Sequence, residues 1–163
     1  MTVQHEVNEP GPPDGQAAES REAGLVEPEN VLPEMTMEDL AEPLRQAMAR
    51  AGWSQMMPVQ ARAIPYLQAG RDLMVQSRTG SGKTGAFLLP ILDRVDPKRA
   101  VCQALVLAPT RELARQVSEE AKTLGGAAGM RTAVVYGGVA YGPQIQAFRK
   151  GAHLVVGTPG RIL

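Results

Sequence analysis

The stretch Ser77-Arg78-Thr79-Gly80-Ser81-Gly82-Lys83-Thr84 reads SRTGSGKT. A short β-like run, Asp72–Gln76, leads into it, and a helical pattern over Gly82–Val95 follows. Strand, glycine-rich loop and helix in that order form the context that a phosphate-binding loop requires. Glycine lets successive backbone N–H groups turn into one concavity, and the following helix adds its positive N-terminal end. Thr79, Gly80, Ser81 and Gly82 supply the cradle, and Lys83 is placed to reach β- and γ-phosphates as a point charge. The Thr84 hydroxyl is the candidate ligand for Mg²⁺. A flexible surface turn is the alternative, and G-x-G-K-T between strand and helix weighs against it. The general pattern begins with Gly, where Ser77 stands here. Such a loop implies a nucleoside triphosphate and does not name a reaction.

Outward from the loop, the same alternation repeats. Ala104–Ala108, Thr132–Tyr136 and His153–Gly157 are further β-like runs, each followed by a glycine or proline turn. Helical patterns cover Thr110–Leu124 and Tyr141–Lys150, with Leu113, Val117, Ala121 and Leu124 as one apolar stripe. Upstream, Leu40, Leu44, Ala47, Met48 and Ala51 share a helical face that Gly52 ends. Pro58 opens another helix with Ala61, Ile64 and Leu67 inward, while Trp53 and Phe87 read as packing residues. Pro90 predicts a kink in its helix. Strands alternating with helices predict an α/β fold with a parallel sheet, right-handed crossovers and helices on both faces.

The 163 residues carry 17 basic and 17 acidic side chains. Their zero net charge hides two materials. Residues 1–34 hold eight acids and one base, −7, which leaves +7 for residues 35–163. The first segment contains Pro10, Pro12, Pro13, Pro28 and Pro33 and no aromatic residue. It offers too little apolar surface to offset the entropy of ordering and is expected to be disordered. No apolar run is long enough to span a bilayer, and the N-terminus has no secretory pattern. Cys102 is the one cysteine, so a disulfide within the chain is excluded. It is expected to be a buried thiol, in a protein of the cytoplasm. His5 and His153 have no metal-ligand partner at useful spacing.

Four blocks together resemble the first RecA-like domain of DEAD-box ATP-dependent RNA helicases, over about residues 35–163. GWSQMMPVQ (Gly52–Gln60) is similar to the Q motif and SRTGSGKT to motif I. PTRELA (Pro109–Ala114) matches motif Ia, and Gly137-Gly138 and then TPGR (Thr158–Arg161) resemble the GG and Ib motifs. The resemblance implies ATP and Mg²⁺ as cofactors and assigns Gln60 to adenine, whose donor–acceptor edge an amide complements. It also assigns Pro109, Thr110, Arg111, Gly138, Thr158 and Arg161 to the RNA backbone, with little sequence specificity. Taken alone, Thr110 is also a fitting helix N-cap and Arg111 a solvated base. In a parallel sheet, loops at the carboxyl ends of strands share one rim, so these residues can converge. Four positions depart from the family: Ser77 stands where motif I usually has Ala, and three methionines also differ. Met56 and Met57 stand where Pro-Thr is usual, and Met35 where an adenine-stacking aromatic is usual. The acidic segment is either an arm that competes with RNA for the basic body or a solvated extension.

The expected fold is thus an incomplete RecA-like P-loop sheet of four recognisable strands with flanking helices, preceded by the acidic tail. The family's Asp-Glu-Ala-Asp and Ser-Ala-Thr motifs and its second RecA-like domain do not occur among these residues. The expectation is a fragment of an ATP-dependent RNA helicase that couples ATP hydrolysis to local duplex unwinding in the complete enzyme, the fragment itself nearly inactive and marginally stable, with no membrane association. A truncated, non-catalytic nucleotide- or RNA-binding module and a DNA helicase of the same superfamily are the alternatives.

Overall fold

The computed structural model describes residues 30–163. The expected tail falls almost wholly outside them, and the compact unit spans Leu32–Leu163. Three strands, β1 (Ala104–Leu107), β2 (Thr132–Val135) and β3 (Leu154–Gly157), form a parallel sheet in the order β1-β3-β2. Leu154 faces Ala104 on one side and Thr132 on the other. The six α-helices among the described residues are α1 (Glu42–Arg50), α2 (Pro58–Gln68), α3 (Lys83–Arg94), α4 (Arg111–Gly125), α5 (Tyr141–Arg149) and α6 (Pro159–Ile162).

The strand order explains the layers. The chain leaves β1, passes through α4 and returns at β2, two places along. It then reverses through α5 to fill the gap with β3. Right-handed crossovers run in opposite directions place their helices on opposite faces. β3 is buried along its whole length. On one face, Leu154 and Val156 pack with Leu88 of α3 and with Ala114, Val117, Ala121 and Leu124 of α4. A second core joins Leu40, Leu44 and Met48 to Ile64 of α2 and Leu89 of α3, and Trp53 and Leu92 touch both cores.

The helical patterns hold with local differences. Ala114 and Ser118 widen the buried stripe of α4, while Leu113 is exposed. Ala63, Ile64 and Tyr66 carry the inward face of α2, with Leu67 half-buried. The structure places Trp53 in the loop after α1, and α3 runs on through Pro90.

Two expectations are corrected. The segment Asp72–Gln76 is not a strand, so the sheet has three strands and not four. A strand is stable only when paired, and among the described residues this segment finds no neighbour. Its side chains remain in solvent, with Met74 97% exposed. The edge of the sheet shows the same deficit. Leu105 and Leu107 of β1 point to the α5 face, but α5 packs on β2, leaving them 51% and 54% exposed. Cys102 lies just before β1 and is exposed, because that apolar run starts on the uncovered edge.

At the opposite end of the strands lies His153, fully buried at the foot of β3. The Arg131 backbone N–H approaches its Nδ1 at 3.1 Å, and the Arg131 guanidinium stands 2.8 Å from Nε2. A neutral imidazole has one free acceptor nitrogen, so only one of these approaches is a hydrogen bond at a time.

Candidate functional site

The glycine-rich loop and the sheet rim form two separate groups of residues. In the loop, Gly80 and Gly82 have φ of +80° and +91°, the left-handed region that side chains disfavour. Gly82 stands directly before α3, which places Lys83 and Thr84 in the first turn of that helix. The Lys83 ammonium turns back on its own loop and donates to the carbonyls of Ser77 and Arg78, the latter at 2.6 Å. The Ser81 hydroxyl is buried with no hydrogen-bond partner. A loop with an orphaned hydroxyl, left-handed glycines and an ammonium resting on carbonyls has the donor chemistry for a polyphosphate. Thr84 Oγ1 would serve the accompanying Mg²⁺.

Gln60 is 2% exposed. Its Oε1 accepts from the Met57 N–H at 2.9 Å, closing the first turn of α2, and its Nε2 donates to the Gly82 carbonyl at 3.1 Å. The amide therefore ties the segment before α2 to the glycine-rich loop. Gly85, which the sequence did not single out, makes room for this tie. A Cβ there would lie 2.4 Å from Gln60 Nε2 and 2.7 Å from the Trp53 ring. The only sequence signal was one more glycine directly after Gly82-Lys83-Thr84.

The rim gathers distant segments. Pro109, Thr110, Arg111, Gly137, Thr158 and Gly160, with Glu112, line one open cleft of about 510 Å³. They follow β1, β2 and β3, so the parallel sheet brings them together. Thr110 caps α4, accepting from the Leu113 N–H at 3.2 Å, and its O–H remains free to donate. The N-cap role and the place in the cleft therefore coexist. The positive end of α4 opens here, and Glu112 in its first turn is the one acid on the wall. Gly138, at φ +82°, passes beneath the Arg111 guanidinium, where a Cβ would meet Nη1 at 2.4 Å.

Arg161 takes a different place. Its guanidinium carbon lies 4.0 Å from the centroid of the Tyr141 ring, and Nη1 donates to the Val139 carbonyl at 3.3 Å. It sits beside the cleft and is not among the residues of the cleft wall. Sequence reading missed Tyr141 and Glu112. The first could have been noticed as an aromatic residue three places after Gly138.

A parallel sheet whose carboxyl rim carries such a cleft, beside a G-x-G-K-T loop on the N-terminus of a helix, defines a RecA-like P-loop protein. Comparison with known proteins narrows this class. The family model for DEAD/DEAH box helicase matches residues 57–163. The chain belongs to that family. It is 44% identical over 124 residues to the DEAD-box ATP-dependent RNA helicase CshA of Bacillus licheniformis, covering 76% of this chain and 26% of the relative. The CshA of Streptococcus pneumoniae is 45% identical over 125 residues, covering 77% and 24%. The chain thus spans about a quarter of the length of these curated relatives. Among solved structures, a DEAD box protein from the hyperthermophile Methanococcus jannaschii aligns with a TM-score of 0.72 and 39% identity. That alignment covers 80% of this chain and 36% of the other. No helix among the described residues is long and apolar enough to cross a membrane.

Proposed function

We propose that this chain is the nucleotide- and RNA-binding part of an ATP-dependent RNA helicase acting in the cytoplasm. ATP with Mg²⁺ is held at Thr79, Gly80, Ser81, Gly82, Lys83 and Thr84. Lys83 exchanges its loop carbonyls for phosphate oxygens, Thr84 serves the metal, and Gln60 reads the adenine. Bound Mg²⁺ supplies charge neutralisation at the transferring phosphoryl group. Because the Gln60 amide is engaged by Met57 and Gly82, its use on a base requires these bonds to be exchanged, which couples base binding to the shape of the loop. RNA lies along the rim, its phosphates on the Thr110 and Thr158 hydroxyls, the Arg111 and Arg161 guanidiniums and the backbone at Pro109 and Gly138. Such contacts track the backbone and carry little sequence information. In the complete protein, a second RecA-like domain closes on this one. Closure strains one RNA strand and separates short duplexes, and hydrolysis resets the cycle.

The observation that carries this reading is the cleft. Segments from three adjacent strand ends, dozens of residues apart, meet with hydroxyl, guanidinium and glycine groups side by side. The test is ATP turnover by the full-length protein with single-stranded RNA, single-stranded DNA or no nucleic acid. Stimulation by RNA alone is expected, and it should vanish in Lys83→Ala. Equal stimulation by DNA would sink the RNA assignment. Turnover unchanged in Lys83→Ala would sink the phosphate-loop assignment.

A further inference from the structure

We infer that Tyr141 is a positioning residue that preorganises Arg161 for the RNA backbone, an inference that rests on the RNA reading above. The loop Gly137–Val139 is approached by two guanidiniums. Arg111, on α4, lies over Gly138, and Arg161, on α6, donates to the Val139 carbonyl. Two like charges on one short loop repel, and a long side chain on a surface helix gains entropy by swinging into water. A single hydrogen bond of 3.3 Å is a weak restraint against both. The Tyr141 ring supplies the second restraint. Its face lies 4.0 Å from the guanidinium carbon, well within the range of a cation–π contact.

Tyr141 has no place in either core. It is the first residue of α5, 63% exposed, where a polar residue would serve the helix as well. Its ring stacks on the Arg161 guanidinium. The planar ring and the carbonyl fix both the plane and the direction of the guanidinium. The side-chain entropy of Arg161 is then lost on folding and not on binding RNA, which favours the complex. The effect uses the ring face, so phenylalanine replaces tyrosine and leucine does not.

The experiment uses the full-length protein and a fluorescein-labelled decauridylate. Equilibrium affinity is measured for the wild type, Tyr141→Phe, Tyr141→Leu, Arg161→Ala and the double variant Tyr141→Leu/Arg161→Ala, with Arg111→Ala as the control for the RNA reading. Tyr141→Phe should bind as the wild type does. Tyr141→Leu should bind about threefold more weakly, the scale of an exposed cation–π contact. In the Arg161→Ala background Tyr141→Leu should have no further effect. An additive loss would mean that the ring touches RNA itself and would overturn the positioning role, as would a Tyr141→Leu variant with wild-type affinity. Side-chain NMR of labelled arginine, without RNA, reads the contact separately. Ring-current shifts of the Arg161 δ protons should be present in the wild type and Tyr141→Phe and lost in Tyr141→Leu, and their absence from the wild type overturns the inference. If Arg111→Ala binds RNA normally while the ring-current shift is present, the RNA reading fails and the Tyr141–Arg161 contact stands.

Discussion

The two candidate sites are held in different ways. The rim cleft stands on three paired strands, and each contributes one loop to it. Its parts are fixed by ladder hydrogen bonds and by the fully buried β3. The glycine-rich loop follows a segment that pairs with nothing among the described residues. Helices hold it instead. Gln60 of α2 grips the Gly82 carbonyl, and Lys83 of α3 bonds back to the loop carbonyls. A sheet fixes the ends of its loops in advance. A loop held by two side chains can exchange the bonds of both for a ligand. The rim is therefore expected to be the preformed site, and the glycine-rich loop the one that rearranges when a ligand binds.

Four experiments can break or sharpen this contrast. The largest effect is expected at Lys83. Lys83→Ala in the full-length protein should lower ATP turnover by at least about a hundredfold, the scale of losing one transition-state charge. RNA binding without nucleotide should persist, because the rim does not use that ammonium. A parallel loss of RNA binding would show that the two sites are not held independently.

On the rim, Arg111→Ala should weaken RNA binding about tenfold and lower the salt slope by about one. Gly138→Ala should reproduce much of this with the arginine intact. An added Cβ would stand 2.4 Å from Arg111 Nη1 at a φ of +82°, so the guanidinium must leave. Fluorescence titration with labelled RNA measures both. Wild-type affinity in Gly138→Ala would show that the rim is softer than its sheet.

The sheet end opposite the rim predicts a pH dependence. Burial, and then the Arg131 charge, hold the His153 pKa below its ordinary 6.5. As pH falls below 6.5, the unfolded chain takes up a proton that the folded chain resists, so stability drops across that window and is complete above it. Asp39, Glu42 and Glu119 have lowered pKa values, from ordinary values of 3.8 to 4.5, and lose their contributions only in more acid solution. Urea midpoints measured downward from pH 7 should fall for the wild type. In His153→Gln the slope near pH 6 should flatten, and an unchanged slope would assign it elsewhere.

The smallest effect concerns the bare edge. Leu105→Thr with Leu107→Thr should leave the thermal midpoint of the 163-residue chain nearly unchanged while reducing its aggregation and dye binding. Those side chains are more than half exposed and bury little surface. A large loss of stability would mean that this face is covered in solution.

Much of this was legible in the sequence, for physical reasons. Apolar periodicity located every helix of eight or more residues among the described residues, and three β-like runs became strands with boundaries within a residue. Asp72–Gln76 failed because pairing is a property of neighbours and not of the run itself. Cys102 failed likewise, since an apolar run is buried only where something covers it. Thr110 and Gly138 were singled out through the resemblance to the helicase motifs. The Arg161–Tyr141 stack was not, because it depends on where α5 begins relative to α6, and no local pattern encodes that.

Trp53 and Cys102 each occur once in the chain. The indole sits against Gly85 in the first turn of α3, directly after the glycine-rich loop, and the thiol is exposed just before β1. The 163-residue chain thus has one native light source near the loop proposed to rearrange and one thiol attachment point beside the sheet expected to stay fixed. A dye on Cys102 excited by energy transfer from Trp53 would turn the difference between the two sites into an optical signal, without a single engineered residue.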